Sequence, residues 1–433
     1  MAEATVDSAA EVPNVGWNFT VNIVDITFIT LGLSLISRDT VIPVLVSTLT
    51  DSKLAVGMIP AIWSLGYYLP QLITANFTER LVYKKPFVMF VGGVGERLPY
   101  LLIALAVWFF AVDQPTLALV IILLGIGMAA FSAGIATPAW FDMIAKVIPV
   151  NRRGVWSGLG HSLGAVMGIM GAVAVGRILE HYGYPVNYAL LFFLAFIFVT
   201  ISWIGLALNR EPPSTITKAR VGFAAYLGRL PRVLRANPNY TRFLISRSTV
   251  QMGAMASGFF IVYGAESFGI EGAEVGLLTG VLIASQAVMN LVWGMVGDRI
   301  GHKVVLVGAA FAIATAALVA LLAASLTWLI VTFALLGAYV AADAVSALNI
   351  ILEFCAPEDR PTYIGLTNTL LAPVLIVAPL IGGWLATWAG YGGLFITSMT
   401  IATLGGLLLA LWVHEPRRLP PPQFADDPTP GQP

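Results

Sequence analysis

From residue 19 to residue 413 this 433-residue chain is built of apolar runs of about twenty residues or more, the length an α-helix needs to cross the hydrocarbon layer of a bilayer. On that ruler it divides at 19–48, 54–76, 86–111, 116–141, 154–180, 185–208, 241–268, 273–297, 303–325, 327–353, 361–388 and 391–413. Hydrophobic residues make up 58% of the chain and charged ones 11%, more apolar surface than one water-soluble globule of this size can hide. The expectation is an all-α membrane protein with twelve transmembrane helices.

Twelve crossings return both termini to one side, and the basic residues say which. Arg80, Lys84 and Lys85; Lys146, Arg152 and Arg153; Arg299 and Lys303; and Arg360 fall in the even-numbered turns, while the opposite turns hold little beyond Lys53 and Arg177. By the positive-inside rule both termini are cytoplasmic, in a multi-pass protein of the cell (plasma or inner) membrane. The acidic start, "MAEATVDSAAEVPN", lacks the basic region of a cleavable signal, and residues 1–18 read as a cytoplasmic tail. Residues 414–433, proline-rich, read as a second one. The central connection, 209–240, is the one long polar loop; Phe223, Tyr226, Leu227 and Leu230 at helical spacing beside Arg229, Arg232 and Arg235 predict a helix lying on the inner surface. Membrane topology already accounts for those arginines, so no nucleic-acid partner is invoked. Cys355 is the single cysteine, and His161, His181, His302 and His414 have no metal-ligand spacing, so neither a disulfide framework nor a metal or other cofactor is expected.

The sequence repeats itself. A shift of 219 places Val56-Gly57 on Val275-Gly276, Glu79-Arg80 on Asp298-Arg299 and Lys84 on Lys303; a shift of 207 places Arg153, Gly158, Leu159 and Gly176 on Arg360, Gly365, Leu366 and Gly383. The stretch "NREPP" at 209–213 answers "HEPRR" at 414–418. Two parallel six-helix halves follow, 19–208 and 241–413, one of the known transporter designs with the substrate path between the halves.

The loop "GMVGDRIGHK" at 294–303 resembles the glycine, aspartate-arginine, glycine, basic signature of the major facilitator superfamily, at Gly294, Asp298, Arg299, Gly301 and Lys303. Its counterpart "ANFTERLVYK" at 75–84 keeps Glu79, Arg80 and Lys84 but has Ala75 and Val82 in place of glycines. "DMIAKVIPVNRRG" at 142–154 is similar to the family's pattern between the fourth and fifth helices, and "EFCAPEDRP" at 353–361 to a contracted form of it. The resemblance implies the superfamily's fold over 19–413, and a cytoplasmic gate of Glu79, Arg80, Lys84, Asp298, Arg299, Gly301 and Lys303, in which Asp298 and Arg299 latch the inner side when the protein opens outward. It also implies that helices one, two, four, five, seven, eight, ten and eleven line a central cavity.

Charges at membrane depth are costly and mark functional sites. In "LISRDTVIP", residues 35–43, Arg38 and Asp39 lie about ten residues from the outer end of the first run, roughly 15 Å on a continuous helix. Neighbours on a helix point about 100° apart, so each is expected to find a different partner. Asp39 is the first candidate for a proton-coupling carboxylate, Asp343 the second and Asp25, nearer the cytoplasmic mouth, the third; the rival role for each is a fixed structural contact. Glu96 and Arg97, inside the third run, are expected to pair between helices, with Arg38 and Asp39 as partners. Arg247 is placed to snorkel toward the inner interface. Arg38, Tyr67, Gln71, His161, Gln251, Gln286, Asn290, Asn349 and Asn368 complete the substrate-cavity candidates; each has interhelical packing as its plainer role.

The function expected is a secondary active transporter, a monomer in the bilayer, moving a small organic solute by alternating access with protons as the coupled ion. No Walker-type loop supports direct ATP drive, and no catalytic constellation suggests an enzyme. Drug antiporters of the superfamily carry a glycine-proline-glycine-glycine signature in the fifth helix and an arginine in the fourth. Neither occurs here, and a multidrug or metabolite efflux antiporter stays the alternative, with a non-transporting assembly or receptor on the same scaffold as the rival from another class.

Overall fold

The structure, a computed structural model, describes residues 13–78, 81–213, 234–355 and 360–418. Among them every regular element is helical. The first run is not one helix: α1 (Val15–Leu35) and α2 (Val41–Leu49) are separated by a turn at 36–40, where Ile36 has φ −121° and ψ 43°. Pro43 explains the break. In a continuous helix its missing N–H and its ring would both fall against the carbonyl of Asp39, four residues back. The chain turns instead, and the Ile42 N–H is taken by Ser37 O at 3.0 Å.

The helices that follow are α3 (Lys53–Thr78), α4 (Lys85–Phe90), α5 (Leu98–Phe110), α6 (Pro115–Val147), α7 (Val150–His181) and α8 (Val186–Ala207). A π-helical stretch, Val91–Arg97, joins α4 to α5. After the central connection come α9 (Pro238–Gly253), a 3₁₀ stretch Ala254–Phe259, α10 (Phe260–Phe268), α11 (Ala273–Arg299), α12 (His302–Leu321), α13 (Leu326–Glu353), α14 (Arg360–Trp388) and α15 (Gly390–Leu411). The surface helix expected in the central loop falls on residues that, up to 233, lie outside the described ones.

Ten helices among the described residues are long and apolar enough to cross a membrane. The protein is therefore a multi-pass membrane protein. The other two expected crossings are helical but differ in kind. Helix α3 contains Pro60 and Pro70 with Ser64, Tyr67, Tyr68 and Gln71 between and beyond them, and the α9–α10 segment is interrupted by its 3₁₀ stretch. Both carry polar side chains that the site uses, which is what lowers their apolarity.

Helices α1–α8 pack as one group and α9–α15 as another, and they meet chiefly where α3 crosses α14 and α7 crosses α11. Lipid tails are as apolar as leucine, so such crossings depend on close approach, and small residues permit it. A Cβ on Gly276 would lie 2.5 Å from Gly176 Cα, and one on Gly383 would lie 2.9 Å from Leu54 Cα. These residues all sit at one end of the molecule. The polar bridges between the groups are there too: the Thr40 and Thr279 hydroxyls are 2.7 Å apart, both fully buried, and Lys53 pairs with Glu266.

At the other end, where the chain enters α1 and leaves α15, polar knots tie each group to itself. The buried Lys84 ammonium donates to Thr78 O and Leu81 O, each at 2.6 Å, and lies 3.3 Å from Asp142. Glu211 accepts the N–H groups of Lys84 and Lys85 at 2.9 and 2.8 Å and the Lys146 ammonium at 2.8 Å. In the other group Arg417 pairs with Glu353 and donates to Asp298 O at 3.0 Å. Gly301, with φ 130°, makes the turn into α12 in a conformation that side-chain-bearing residues rarely adopt.

Candidate functional site

A cavity of about 550 Å³ lies between the two groups. The first group supplies Arg38 and Asp39 from the break in the first run, and Trp63, Tyr67 and Tyr68 from α3. The second supplies Gln251 from α9, Gln286 from α11, and Tyr339 and Asp343 from α13.

The break determines how the first charges sit. Released from helical geometry, Arg38 and Asp39 face each other at 3.7 Å, and the Arg38 guanidinium lies 5.7 Å from the Trp63 ring centre. The expectation of separate partners, which assumed an unbroken helix, is thus corrected. The pair is loose and wet, with half of the Arg38 side chain and 27% of that of Asp39 exposed.

Opposite it, Arg247 pairs with Asp343, and the Tyr339 hydroxyl donates to Gln251 Oε1 at 2.6 Å. Residues 247 and 251 are one turn apart on α9, as 339 and 343 are on α13, so the contacts form a two-rung ladder between antiparallel helices. Only 2% of the Arg247 side chain is exposed, against 35% of that of Asp343. Arg247 does not snorkel: the carboxylate across from it holds it inside, where its Nη1 has no hydrogen-bond partner.

Of the candidates read from the sequence, Arg38, Asp39, Tyr67, Gln251, Gln286 and Asp343 meet at this cavity. Asp25 does not. It is buried between α1 and α8, where it accepts the Ser202 hydroxyl at 2.6 Å, rather than hydrated at a mouth. Gln71 donates to Tyr67 O at 2.9 Å and Asn349 to Val345 O at 2.7 Å, each on its own helix, and Asn349 is exposed. His161, exposed on α7, has Nδ1 2.7 Å from Ser157 O, again on its own helix. Asn290 is half-buried on α11 with Oδ1 unpartnered, and Asn368 is half-buried on α14. Glu96 and Arg97 pair with each other, not with Arg38 or Asp39; the π-helical stretch turns Arg97 toward Gly92 O at 3.1 Å and Val199 O on α8.

Of the gate residues, Glu79 and Arg80 lie outside the described residues. Lys84 is occupied in the buried knot with Asp142. Asp298 and Arg299 are exposed, and the Lys303 ammonium donates to Ala410 O at 2.9 Å. Sequence reasoning missed Trp63, Tyr68 and Tyr339, and it did not match Arg247 to Asp343, although each is the one charged residue deep in its run. No group of His, Cys, Asp and Glu among the described residues could hold a metal ion.

The cavity offers the Arg38 guanidinium, the carboxylates of Asp39 and Asp343, amide and phenol hydrogen-bonding groups, and the four aromatic rings of Trp63, Tyr67, Tyr68 and Tyr339, with Arg247 buried behind Asp343. Charged, hydrogen-bonding and aromatic groups thus face one space between the two helix groups.

Comparison with known proteins agrees with this architecture. Over 155 residues the chain is 26% identical to the multi-drug resistance efflux pump PmrA homolog of Lactococcus lactis, covering 35% of this chain. Over 177 residues it is 28% identical to the inner membrane transport protein YajR of Escherichia coli, covering 39% of this chain. In each case the match spans 38% of the relative's own length. The fold is similar to the crystal structure of the nucleoside transporter NupG, at TM-score 0.66 and 13% identity, covering 92% of this chain and 98% of that one. It is likewise similar to a bacterial homolog of the human lysosomal transporter Spinster in an inward-facing, occupied conformation, at TM-score 0.64 and 13% identity, over 94% and 98% of the two chains. Residues 243–432 match the sequence model of the Major Facilitator Superfamily, so the second helix group is similar to that family in sequence while the whole chain shares the fold of these transporters.

Proposed function

We propose that the protein is a secondary active transporter that moves a small organic solute across the membrane by alternating access, coupled to protons. In this reading residues 19–208 and 241–413 are two parallel six-helix halves, and 209–240 is the cytoplasmic loop between them. The shift of 219 supports the repeat. It carries the break at 36–40 onto 255–259, inside the 3₁₀ stretch Ala254–Phe259, so both leading segments are irregular at matching places.

The observation that carries the transport reading is the cavity between two helix groups whose bridges lie at one end. Rocking the groups about a fixed midplane site would bare the same residues to the other side. With cytoplasmic termini, the end held by Thr40–Thr279 and Lys53–Glu266 is the outer one, and the cavity is reached from inside. Asp39, loosely paired and partly wet, is the first coupling acid and Asp343 the second, while Asp25 becomes a packing contact. Asp298 and Arg299 are the latch that would engage once the outer end opens.

The test is flux in proteoliposomes. A thermal-shift screen of metabolites and drugs supplies a binder, and its uptake is followed under an imposed pH gradient. Asp39→Asn should abolish concentrative transport while downhill exchange continues; full concentrative transport with unchanged pH dependence would remove Asp39 from the role. Absence of any gradient-driven flux of a bound solute would favour the non-transporting scaffold.

A second reading, efflux of drugs, is favoured by the name of the Lactococcus relative and by the aromatic wall of Trp63, Tyr67 and Tyr68. Ethidium extrusion from energised cells decides it: wild-type protein should empty the cells faster than Asp39→Asn, and equal rates exclude it.

A further inference from the structure

The central cavity has a side arm. A second cavity, of about 420 Å³, shares Arg38, Asp39, Trp63, Gln286 and Val340 with the central one. Past those residues its wall is mainly hydrocarbon, from Ile29, Leu33 and Ile42 on the first run, Ile59 and Ile126 behind them, and Ile283 of α11. Thr30, Ser34, Ser37 and Tyr100 add hydroxyls to the lining, of which those of Thr30 and Ser34 donate to Ile26 O and Leu31 O of their own helix. The arm can therefore hold an apolar body and has little to offer a polar one.

The junction is the reverse. Arg38 and Asp39 put both signs of charge side by side, while across the cavity Asp343 is the exposed member of a pair whose charge is balanced by Arg247 buried behind it. A simple anion or cation at such a junction is repelled by one partner about as much as it is drawn by the other. A head that carries both signs satisfies both and keeps the partly desolvated charges compensated.

We infer that the solute is a zwitterionic amphiphile, with its ammonium on Asp39, its acid group on Arg38 and its apolar tail in the arm beyond Trp63. The inference rests on the cavity being a solute site and is independent of proton coupling.

The test is binding to the full chain in nanodiscs with no gradient, using the linear α-amino acids norvaline, norleucine and 2-aminooctanoate. Each added methylene should tighten binding about fourfold until the arm is full. The methyl ester of 2-aminooctanoate, a cation, and its N-acetyl derivative, an anion, should each bind at least about tenfold more weakly than the parent. Leu33→Trp and Ile283→Trp fill the arm from opposite walls, and each should flatten the dependence on chain length. No binding by any member, affinity that ignores chain length, an ester or N-acetyl form as tight as the zwitterion, or an undiminished slope in both tryptophan variants would each overturn the inference. Chain-length-dependent binding without flux under any gradient would sink the transporter reading and leave this one standing.

Discussion

Arg247 pairs with Asp343 across α9 and α13, and one turn along the same two helices Tyr339 bonds to Gln251. The arginine is the buried member and the aspartate the one that touches the cavity. Removing the aspartate strands a guanidinium in low dielectric, whereas removing both leaves nothing uncompensated. Asp343→Ala should cost about 3–5 kcal/mol of stability and Arg247→Ala less, because the aspartate left behind can hydrate. The double variant should be more stable than Asp343→Ala alone. Thermal unfolding of the four proteins in one detergent measures the cycle, and strictly additive losses would mean that the two side chains do not interact.

Thr40 and Thr279 hold opposite groups together with their hydroxyls at 2.7 Å. Replacing both by cysteine should give a disulfide on mild oxidation, since the side chains already meet. The single native cysteine, Cys355, is buried and offers no competing partner at that end. Oxidised protein should lose transport and regain it with reductant; transport undiminished with the bridge formed would show that this end need not open.

Gly276 rests against Gly176 with no room for a methyl group. Gly276→Val should force the shut end apart. Thiol labelling at a cysteine placed at Thr279 should rise severalfold over the same cysteine beside Gly276, and unchanged labelling would mean that the crossing is looser than its geometry.

Glu211 accepts from Lys84, Lys85 and Lys146 at once and is almost wholly buried. Glu211→Ala should cost about 3–5 kcal/mol, because it leaves two helix-entry N–H groups unmet and the Lys146 ammonium with only the more distant Asp142, at 4.0 Å, as an ion-pair partner. Glu211→Gln should cost less, since an amide oxygen still accepts. Equal losses in the two variants, read from thermal unfolding, would argue that packing rather than hydrogen bonding holds this corner.

Most of the helical architecture was legible because the bilayer enforces it: a run of twenty apolar residues has few structures open to it. The site was legible in part. Arg38, Asp39, Asp343, Tyr67, Gln251 and Gln286 stand out as polar residues at membrane depth. The pairing was misjudged where helical continuity was assumed, although Pro43 in the same nine residues disfavours it, and its penalty falls on Asp39. Asp25 looked like a cavity acid because spacing along a helix gives depth but not facing; Ser202, 177 residues away, decides that. Lys84 reads as a gate base in the motif, yet Asp142 and the carbonyls of Thr78 and Leu81 claim it, and none of these is visible from the loop alone.

The turn at 36–40 also has a mechanical meaning. An intact helix resists bending because its ladder of hydrogen bonds must stretch, but here Pro43 has already removed that stiffness at a single point. The segment below leans on α7 and α8, and the segment above leans on α3, α6 and α10, so the two lengths belong to different neighbours. A hinge of this kind is compliant without being loose: each arm is clamped along its length, and whatever rotation separates the clamps is focused on the five residues that hold Arg38 and Asp39.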